Sequence, residues 1–208
     1  MQAILITGFE PFGGETINPS WEAVRLLPDE IEGYAIRKLR LPVSFLEATR
    51  KLSENVLENP PAAILCIGQA GGRAAVTPER IGINLMDARI PDNDGYSPVE
   101  TPIAPEGPDA YFSTLPVTAM VQAIRDAGVP SQASLSAGTY VCNSLLYGAL
   151  HFVAQQGLKI PAGFIHVPFL PQQVLTKPQP SLTLEQLKTA LEAAVRAVLA
   201  ALPQNSNL

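Results

Sequence analysis

Two cysteines and two histidines are the side chains of this 208-residue chain that could together carry out nucleophilic catalysis. A thiol nucleophile needs an imidazole within hydrogen-bonding reach, so four Cys–His pairings are conceivable. Cys66 lies within the apolar run 62–67, which favours a buried thiol with a packing role. His151 follows Cys142 on one predicted helix at a separation of about 13 Å along the axis, which keeps these two side chains out of contact. The pair that remains is Cys142 and His166.

The position of Cys142 in the sequence favours a reactive thiol. It follows the segment 136–141 and opens a predicted helix, where free backbone N–H groups and the helix dipole favour a thiolate. His166 ends a predicted strand just before Pro168. A cysteine in such a setting can also serve only for packing, and it is the pairing with His166 that favours the catalytic interpretation.

A third group is expected to orient the imidazole of a Cys–His pair. The candidate is Glu79, in the segment that runs from Gly68 to Asn84. The alternative interpretation of Glu79 is a solvated loop carboxylate. Phe9 and Phe12 place two aromatic rings after the first predicted strand, where they serve either as local packing or as the wall of a ligand pocket.

The sequence does not support a metal or phosphate site. Two histidines without His-x-x-x-His spacing make a weak zinc set, and the segment 92–95 has its glycine two places too early for an EF-hand loop. The glycines of the segment 8–13 have the spacing of a phosphate-binding loop, but Gly14 and Glu15 stand where lysine and serine or threonine are required. We therefore expect no metal and no cofactor.

Charge and hydropathy argue against several classes of partner and compartment. Lys and Arg total 14 against 19 for Asp and Glu, giving a net charge of −5 without a basic run, so we expect no nucleic-acid partner. Charged residues interrupt the apolar segment 184–202, and we expect no membrane span. The first residues lack the basic region of a signal peptide, and two cysteines are too few for a disulfide framework, so we expect a cytoplasmic protein.

Alternating strand and helix patterns must position these candidate residues. Apolar runs predict strands at residues 3–7, 39–43, 62–67, 81–86, 132–136 and 162–167. Helices are predicted from Pro19 to near Pro28, from a capping box at residues 44–47 to the prolines at 60–61, at 117–128, from Cys142 onward, and from a second capping box at residues 183–186.

This order of elements predicts a single α/β domain over residues 1–202, with a disordered tail at 203–208. We expect a mostly parallel sheet with helices on both faces, and a functional site at the carboxyl ends of the strands. The segment 87–115 shows no period and contains five prolines, so we expect it to be a lid or an interface contact.

Four motifs occur in an order and spacing that is far more specific than any one of them. They are Gly-Phe-x-Pro-Phe-Gly at 8–13, Gly-Gln-Ala-Gly-Gly-Arg at 68–73 with Glu-Arg at 79–80, Ser-Ala-Gly-x-Tyr-Val-Cys-Asn at 136–143, and Ile-His-Val-Pro at 165–168. With these motifs the sequence resembles the pyroglutamyl peptidase family, also called pyrrolidone carboxylate peptidases, through almost the whole chain. One departure is Gly82, where the family usually has alanine.

The resemblance implies a cysteine peptidase that removes an N-terminal pyroglutamyl residue from peptides. It also implies an α/β/α sandwich with a largely parallel sheet, and a homo-oligomer, either a dimer or a tetramer. The family's catalytic triad falls on Glu79, Cys142 and His166. By the same resemblance, the residues that line the pocket for the lactam ring are Phe9, Phe12, Asn18, Gln69, Tyr140 and Val141, and Arg89 lies near the reacting carbonyl.

Two other functions use the same residues differently. A cysteine amidohydrolase of the glutaminase type would also use Cys142 and His166, but would favour free glutamine over blocked peptides. A non-catalytic α/β module that binds a small molecule would tolerate the loss of Cys142 without losing affinity.

Overall fold

The computed structural model describes residues 2–203 of the chain, so that residues 204–208 of the expected tail lie outside the described residues. Its strands are β1 (Ala3–Phe9), β2 (Glu30–Ile31), β3 (Tyr34–Leu41), β4 (Ala63–Gln69), β5 (Thr77–Pro78), β6 (Ile81–Ile83), β7 (Ala110–Phe112) and β8 (Ala162–Val167). Its helices are α1 (Pro19–Arg25), α2 (Glu47–Glu58), α3 (Val117–Asp126), α4 (Val141–Gln155) and α5 (Leu184–Ala201), with a 3-10 turn at Pro171–Gln173.

Six of the strands form one sheet in the order β2–β3–β1–β4–β8–β5. β1 pairs in parallel with β3 and β4, and β4 pairs in parallel with β8. The two short edge strands, β2 and β5, pair antiparallel to their neighbours. β6 and β7 form a separate antiparallel pair. The mostly parallel sheet predicted from the sequence is therefore confirmed.

Helices cover both faces of the sheet, and alternate residues of each strand contribute to two separate cores. Ile4 and Ile6 of β1 pack on the face that carries α1, α3 and α5. Leu5 and Phe9 of the same strand pack on the face that carries α2 and α4. The three-layer α/β/α sandwich is confirmed by this arrangement. Within residues 2–203 no helix is both long and apolar enough to cross a bilayer.

The carboxyl ends of the central strands bring the segments of the predicted site together. β1 ends at Phe9, β4 at Gln69 and β8 at Val167, while α4 begins beside them at Val141. Because neighbouring parallel strands end at the same edge of a sheet, the loops that follow them converge there.

The approach of α1 to β1 depends on a glycine. A Cβ at Gly8 would lie 2.8 Å from the backbone of Trp21 in α1. The side chain of Asn18 caps α1 by accepting a hydrogen bond from the N–H of Ser20. The N–H of Phe9 in turn donates to Ser20 Oγ at 2.9 Å. These contacts fix the end of β1 and the loop that follows it.

The predicted strand at residues 132–136 is wrong. In place of a strand, the chain forms only isolated bridges to neighbouring segments at Ser131 and Ser134. Ser134 Oγ donates to the carbonyl of Ser136 and accepts from its N–H. Local bonds of this kind compete with a strand ladder, which explains why the segment stays irregular.

The predicted strand at residues 81–86 is shorter than expected. It ends at Ile83 and pairs with β7, which lies inside the segment 87–115 that showed no pattern in the sequence. The Asn143 side chain of α4 accepts from the N–H of Ile83 and donates to the carbonyls of Ile83 and Leu85. A side chain therefore satisfies the backbone groups that a longer strand would use.

The predicted helix start at residues 44–47 is half correct. Ser44 Oγ accepts a hydrogen bond from the N–H of Glu47, as in a capping box. The Glu47 carboxylate pairs with Arg50 instead of reaching back to Ser44, and the helix begins at Glu47.

Candidate active site

A cavity of about 450 Å³ opens at the carboxyl edge of the sheet. Nine of the ten residues predicted for the site line it, and the tenth, Glu79, lies buried behind His166. The structure thus brings all the predicted residues into one place. The cavity is also lined by residues that the sequence prediction did not include: Val43, Ala70, Gly71, Arg73, Ser136, Ala137 and Gly138.

The thiol of Cys142 lies against the end of β4. Cys142 is the second residue of α4, so its backbone N–H has no partner within the helix. A Cβ on Gly68 would come within 2.8 Å of Cys142 Sγ. Gly68 is the register partner of His166 in β8, and paired residues of parallel strands share a face of the sheet. Cys142 Sγ therefore lies over Gly68, one strand away from His166 and on the same face of the sheet as the imidazole.

Glu79 supports the imidazole of His166 from the side away from the cavity. His166 Nδ1 lies 2.8 Å from Glu79 Oε1, and both side chains are buried. The N–H of Glu79 donates to the carbonyl of Phe164, and Thr77 lies opposite His166 in the β5–β8 pair. These two contacts fix the position of the Glu79 carboxylate beside β8. An ionised carboxylate can only accept, so Nδ1 carries the proton and Nε2 remains as the basic nitrogen.

The electrostatic environment favours an ionised Glu79 beside a neutral His166. Burial opposes ionisation of Glu79, but hydrogen bonds from His166 and Arg73 hold its pKa below the ordinary value. Burial lowers the pKa of His166, and the bond to Glu79 opposes that shift without cancelling it. The imidazole is consequently a neutral base near pH 7.

The expectation that Cys142 rests as a thiolate is wrong. Burial raises the pKa of the Cys142 thiol to about 12, with the charge of Glu79 adding to the rise and that of Arg73 opposing it. Desolvation outweighs the helix N-terminus here because the charged form loses its hydration. At rest the Cys142 thiol and the His166 imidazole are therefore both neutral.

The remaining cysteine and histidine, Cys66 and His151, have packing roles, as the sequence predicts for Cys66. Cys66 is 0% exposed within β4, and burial raises the pKa of its thiol to about 12. His151 Nδ1 lies 3.0 Å from the hydroxyl of Tyr111, and its ring stacks on Tyr147. Neither side chain lines the cavity.

Aromatic rings form one wall of the cavity. Phe9 is buried, and the Phe12 ring lies 6.1 Å from that of Tyr140. The Tyr140 ring packs edge-on against Phe45 at 5.2 Å, and its hydroxyl donates to the carbonyl of Pro91 at 3.0 Å. The wall is thus held in place by contacts outside the cavity.

Part of the segment 87–115 borders this wall. The Asn93 amide donates to Glu10 Oε1 at 2.8 Å and to the carbonyl of Pro11 at 3.0 Å. The buried Asp92 carboxylate accepts from the N–H of Phe45. These bonds join the segment to the loop that carries Phe12.

Two amide side chains at the cavity differ in what they can offer a ligand. Asn18 Oδ1 accepts from both the N–H and the hydroxyl of Ser20, and its amide donates to the carbonyl of Glu10. Most of the hydrogen-bonding groups of the Asn18 side chain are therefore already occupied within the protein. Gln69 Oε1 accepts from Gln173 Nε2 at 3.1 Å, which leaves the Gln69 amide as a donor.

Arg73 is the residue that sequence reasoning missed. Its Nη1 donates to Glu79 Oε1 at 2.6 Å and also to Thr77 Oγ1, and its Nη2 donates to the carbonyl of Ser136 at 2.9 Å. The sequence feature that could have identified Arg73 is its position six residues before Glu79. The predicted Arg89, by contrast, is exposed at the cavity. Across residues 2–203, no three His, Cys, Asp or Glu side chains are grouped closely enough to hold a metal ion.

Comparison with known proteins places this arrangement among peptidases. The family model described as pyroglutamyl peptidase matches residues 2–201. The pyrrolidone-carboxylate peptidase of Thermococcus onnurineus (strain NA1) is 52% identical over 198 residues, covering 95% of this chain and 99% of the relative.

Solved structures agree with the sequence relatives. The pyroglutamyl peptidase I from Bacillus amyloliquefaciens is 44% identical with a TM-score of 0.92, and the match covers 95% of each chain. The pyrrolidone carboxyl peptidase from Thermococcus litoralis is 41% identical with a TM-score of 0.92, covering 96% of this chain and 94% of that one.

The position of the thiol predicts the effect of the Gly68→Ala substitution. The new Cβ would lie 2.8 Å from Cys142 Sγ and 2.6 Å from the Phe164 ring, so it displaces the thiol from the imidazole. On the prediction that His166 accepts the thiol proton, we expect alkylation of Cys142 by iodoacetamide at pH 7 to slow about tenfold or more. The rate is measured by mass spectrometry of the modified peptide.

Gly163→Ala is the matched control. It also crowds a strand glycine, but against Ser113 and Leu115 and not against the thiol. Gly163→Ala is expected to lower the melting temperature and to leave the alkylation rate of Cys142 unchanged. A folded Gly68→Ala protein that is alkylated at the wild-type rate would contradict the placement of the thiol.

Proposed function

The chain belongs to the pyroglutamyl peptidase family, a premise from which we propose that Cys142, His166 and Glu79 hydrolyse the amide bond after an N-terminal pyroglutamyl residue. The chain is a cysteine peptidase that removes N-terminal pyroglutamate from peptides. One observation carries the assignment of the three residues. It is the 2.8 Å hydrogen bond between Glu79 and His166, beside a thiol that faces the same cavity.

The acylation step in this proposal starts from the neutral pair. As Cys142 Sγ attacks the pyroglutamyl carbonyl carbon, its proton passes to His166 Nε2 and a carbon–sulfur bond forms. The imidazolium then gives that proton to the leaving amine nitrogen as the carbon–nitrogen bond breaks, which leaves a thioester. Glu79 stabilises the imidazolium, which exists only between these two proton transfers.

Hydrolysis of the thioester repeats the proton transfers. His166 takes a proton from a water molecule whose oxygen attacks the thioester carbon. As the carbon–sulfur bond breaks, the imidazolium returns the proton to the Cys142 sulfur, and pyroglutamate leaves. Acylation therefore ends with a neutral imidazole beside the thioester, and hydrolysis restores the neutral thiol and imidazole that burial favours at rest.

The negative oxygen of each tetrahedral intermediate needs donors that are already in place. The backbone N–H of Cys142, at the start of α4, is one candidate donor, and the Arg89 side chain at the cavity is the other. Oxyanion donors of this kind contribute about 2.7–4 kcal/mol each to transition-state stabilisation.

The cavity suits a lactam better than a free amino terminus. Of the described side chains that line it, none is a carboxylate that could pair with an ammonium group. We propose that Phe9, Phe12, Tyr140 and Val141 enclose the lactam ring, and that the Gln69 amide donates to the lactam carbonyl. An unblocked residue would bury an unpaired charge in the same place, which is costly.

The two other functions considered from the sequence are not favoured. The sequence relatives and solved structures above are named as peptidases of pyroglutamyl substrates, not as glutaminases or binding modules. A glutaminase would have to hold the charged α-amino group of free glutamine, and none of the described residues that line the cavity is a carboxylate that could do so.

We also propose that the protein acts in the cytoplasm as a homo-oligomer, either a dimer or a tetramer. Large apolar side chains stand on its surface, among them Phe112 at 73% and Leu135 at 74% exposure. Association between copies would remove such side chains from water.

Specificity for the lactam is expected because no carboxylate occurs among the described residues that line the cavity. We expect kcat/KM for a pyroglutamyl arylamide to exceed that for the matching prolyl arylamide by about 10⁴ or more, because the prolyl ring carries an ammonium and lacks the lactam carbonyl. Release of the arylamine is followed for both substrates at equal enzyme concentration. Comparable values would contradict the proposed pocket.

The two thiols are expected to behave differently when each is replaced by serine. Cys142→Ser should abolish nearly all turnover, because a hydroxyl is a far weaker nucleophile at neutral pH. Cys66→Ser should lower the melting temperature through a buried hydroxyl but keep kcat. An active Cys142→Ser protein, measured with the pyroglutamyl arylamide, would mean that the nucleophile is misassigned.

A further inference from the structure

We propose that Arg73 is a positioning residue that acts on the reaction through Glu79, sharing one carboxylate oxygen with His166 and balancing the charge that the imidazole faces. The inference rests on the proposed roles of Glu79, His166 and Cys142. Arg73 lies on the loop after β4, six residues before Glu79, and its guanidinium reaches the Glu79 carboxylate directly.

The guanidinium is fixed by three acceptors from two separate segments. Nη1 donates to Thr77 Oγ1 in β5 and to Glu79 Oε1, and Nη2 donates to the carbonyl of Ser136. Ser136 lies in the segment that leads into Cys142 and lines the cavity. Arg73 therefore joins the strand opposite His166, the carboxylate and the approach to the nucleophile. A planar guanidinium suits such a junction because its donors have a fixed geometry.

The two donors converge on the same oxygen. Arg73 Nη1 lies 2.6 Å from Glu79 Oε1, and His166 Nδ1 lies 2.8 Å from that oxygen. Glu79 Oε1 therefore accepts hydrogen bonds from both the guanidinium and the imidazole. A cation at this distance withdraws part of the negative charge that would otherwise stabilise the imidazolium.

This sharing has opposite effects on the two reacting groups. The positive charge of Arg73 lowers the pKa of His166, in the same direction as burial. It also lowers the pKa of the Cys142 thiol, against the rise that burial and Glu79 produce. Arg73 thereby keeps the imidazole free to accept a proton and makes the thiol easier to deprotonate.

Burial makes these effects strong. The Arg73 side chain is 28% exposed and that of Glu79 is 0% exposed, so solvent screens their interaction weakly. Other titratable or charged groups face the pair from the surrounding elements. They are Cys66 in β4, Tyr140 before α4 and Arg89 at the cavity. The variants at Arg73 and Arg80 leave all three in place, and only the alkylation readout uses a background in which Cys66 is replaced.

Removal of the charge should move both limbs of the pH–rate profile in one direction. Without the cation, the imidazolium is less repelled, so His166 protonates at higher pH and the acid limb moves up. The thiolate is less stabilised, so the alkaline limb also moves up. We expect Arg73→Gln to shift both limbs of kcat/KM upward by about one pH unit, the low end of what a neighbouring charge does to a pKa.

Arg73→Lys separates charge from geometry. Lysine keeps the positive charge but cannot hold the three acceptors in the same way. We expect its kcat to fall while both limbs stay near the wild-type pH values. Arg73→Met, which keeps the aliphatic stem, is a second neutral variant and should shift the limbs as Arg73→Gln does.

Arg80→Gln is the matched control for net charge. Arg80 is the neighbour of Glu79 in the sequence, but its guanidinium donates to Thr118 Oγ1 at 2.7 Å in α3. The substitution removes one positive charge from the same segment without touching the Glu79 carboxylate. We expect it to leave both limbs and kcat unchanged.

A second readout does not depend on the substrate. In a Cys66→Ser background, the rate of Cys142 alkylation by iodoacetamide is followed against pH for each variant, and Arg73→Gln should move its midpoint upward by the same amount. A wild-type protein without pyroglutamyl hydrolase activity would refute the proposed function but leave this readout intact. Loss of kcat or melting temperature in Arg73→Gln and Arg73→Met with unmoved limbs and midpoint would overturn the role of Arg73 alone.

Discussion

A buried hydrogen bond between the Glu79 carboxylate and His166 Nδ1 is the interaction on which the rest of the site depends. A carboxylate without exposure to solvent needs compensating donors, and two of them, from His166 and Arg73, meet at one oxygen. The bond also decides which imidazole nitrogen is protonated, which leaves Nε2 as the base. The chemistry that we propose for Cys142 requires this tautomer.

The fold supplies the positions that make this bond possible. The antiparallel edge strand β5 places Thr77 opposite His166, and the chain then carries Glu79 back beside β8. A glycine at position 68 leaves room for Cys142 Sγ on the same face of the sheet. The layer formed by α2 and α4 covers that face of the sheet. The resulting burial of Cys142 and His166 favours the neutral form of both side chains.

Sequence reasoning predicted the parts of the structure that depend on local pattern. The strands near residues 3–7, 62–67 and 162–167 are buried on both faces and show as apolar runs, which is why the sheet was predictable. The pairing of Cys142 with His166 followed from the small number of candidates. The segment 132–136 was not predictable in this way, because its pairing stops at isolated bridges and the Ser134 side chain bonds to the backbone of Ser136. The role of Arg73 and the raised pKa of Cys142 depend on tertiary contacts that no local pattern encodes.

The protonation state of His166 tests the central claim most directly. The protein has only two histidines, so a ¹⁵N–¹H spectrum of histidine side chains, with His151→Gln for assignment, resolves the His166 ring. We predict that neutral His166 is protonated on Nδ1, and that Glu79→Gln weakens this preference and moves the Nδ1 proton signal. A neutral His166 protonated on Nε2 in the folded wild-type protein would contradict the account.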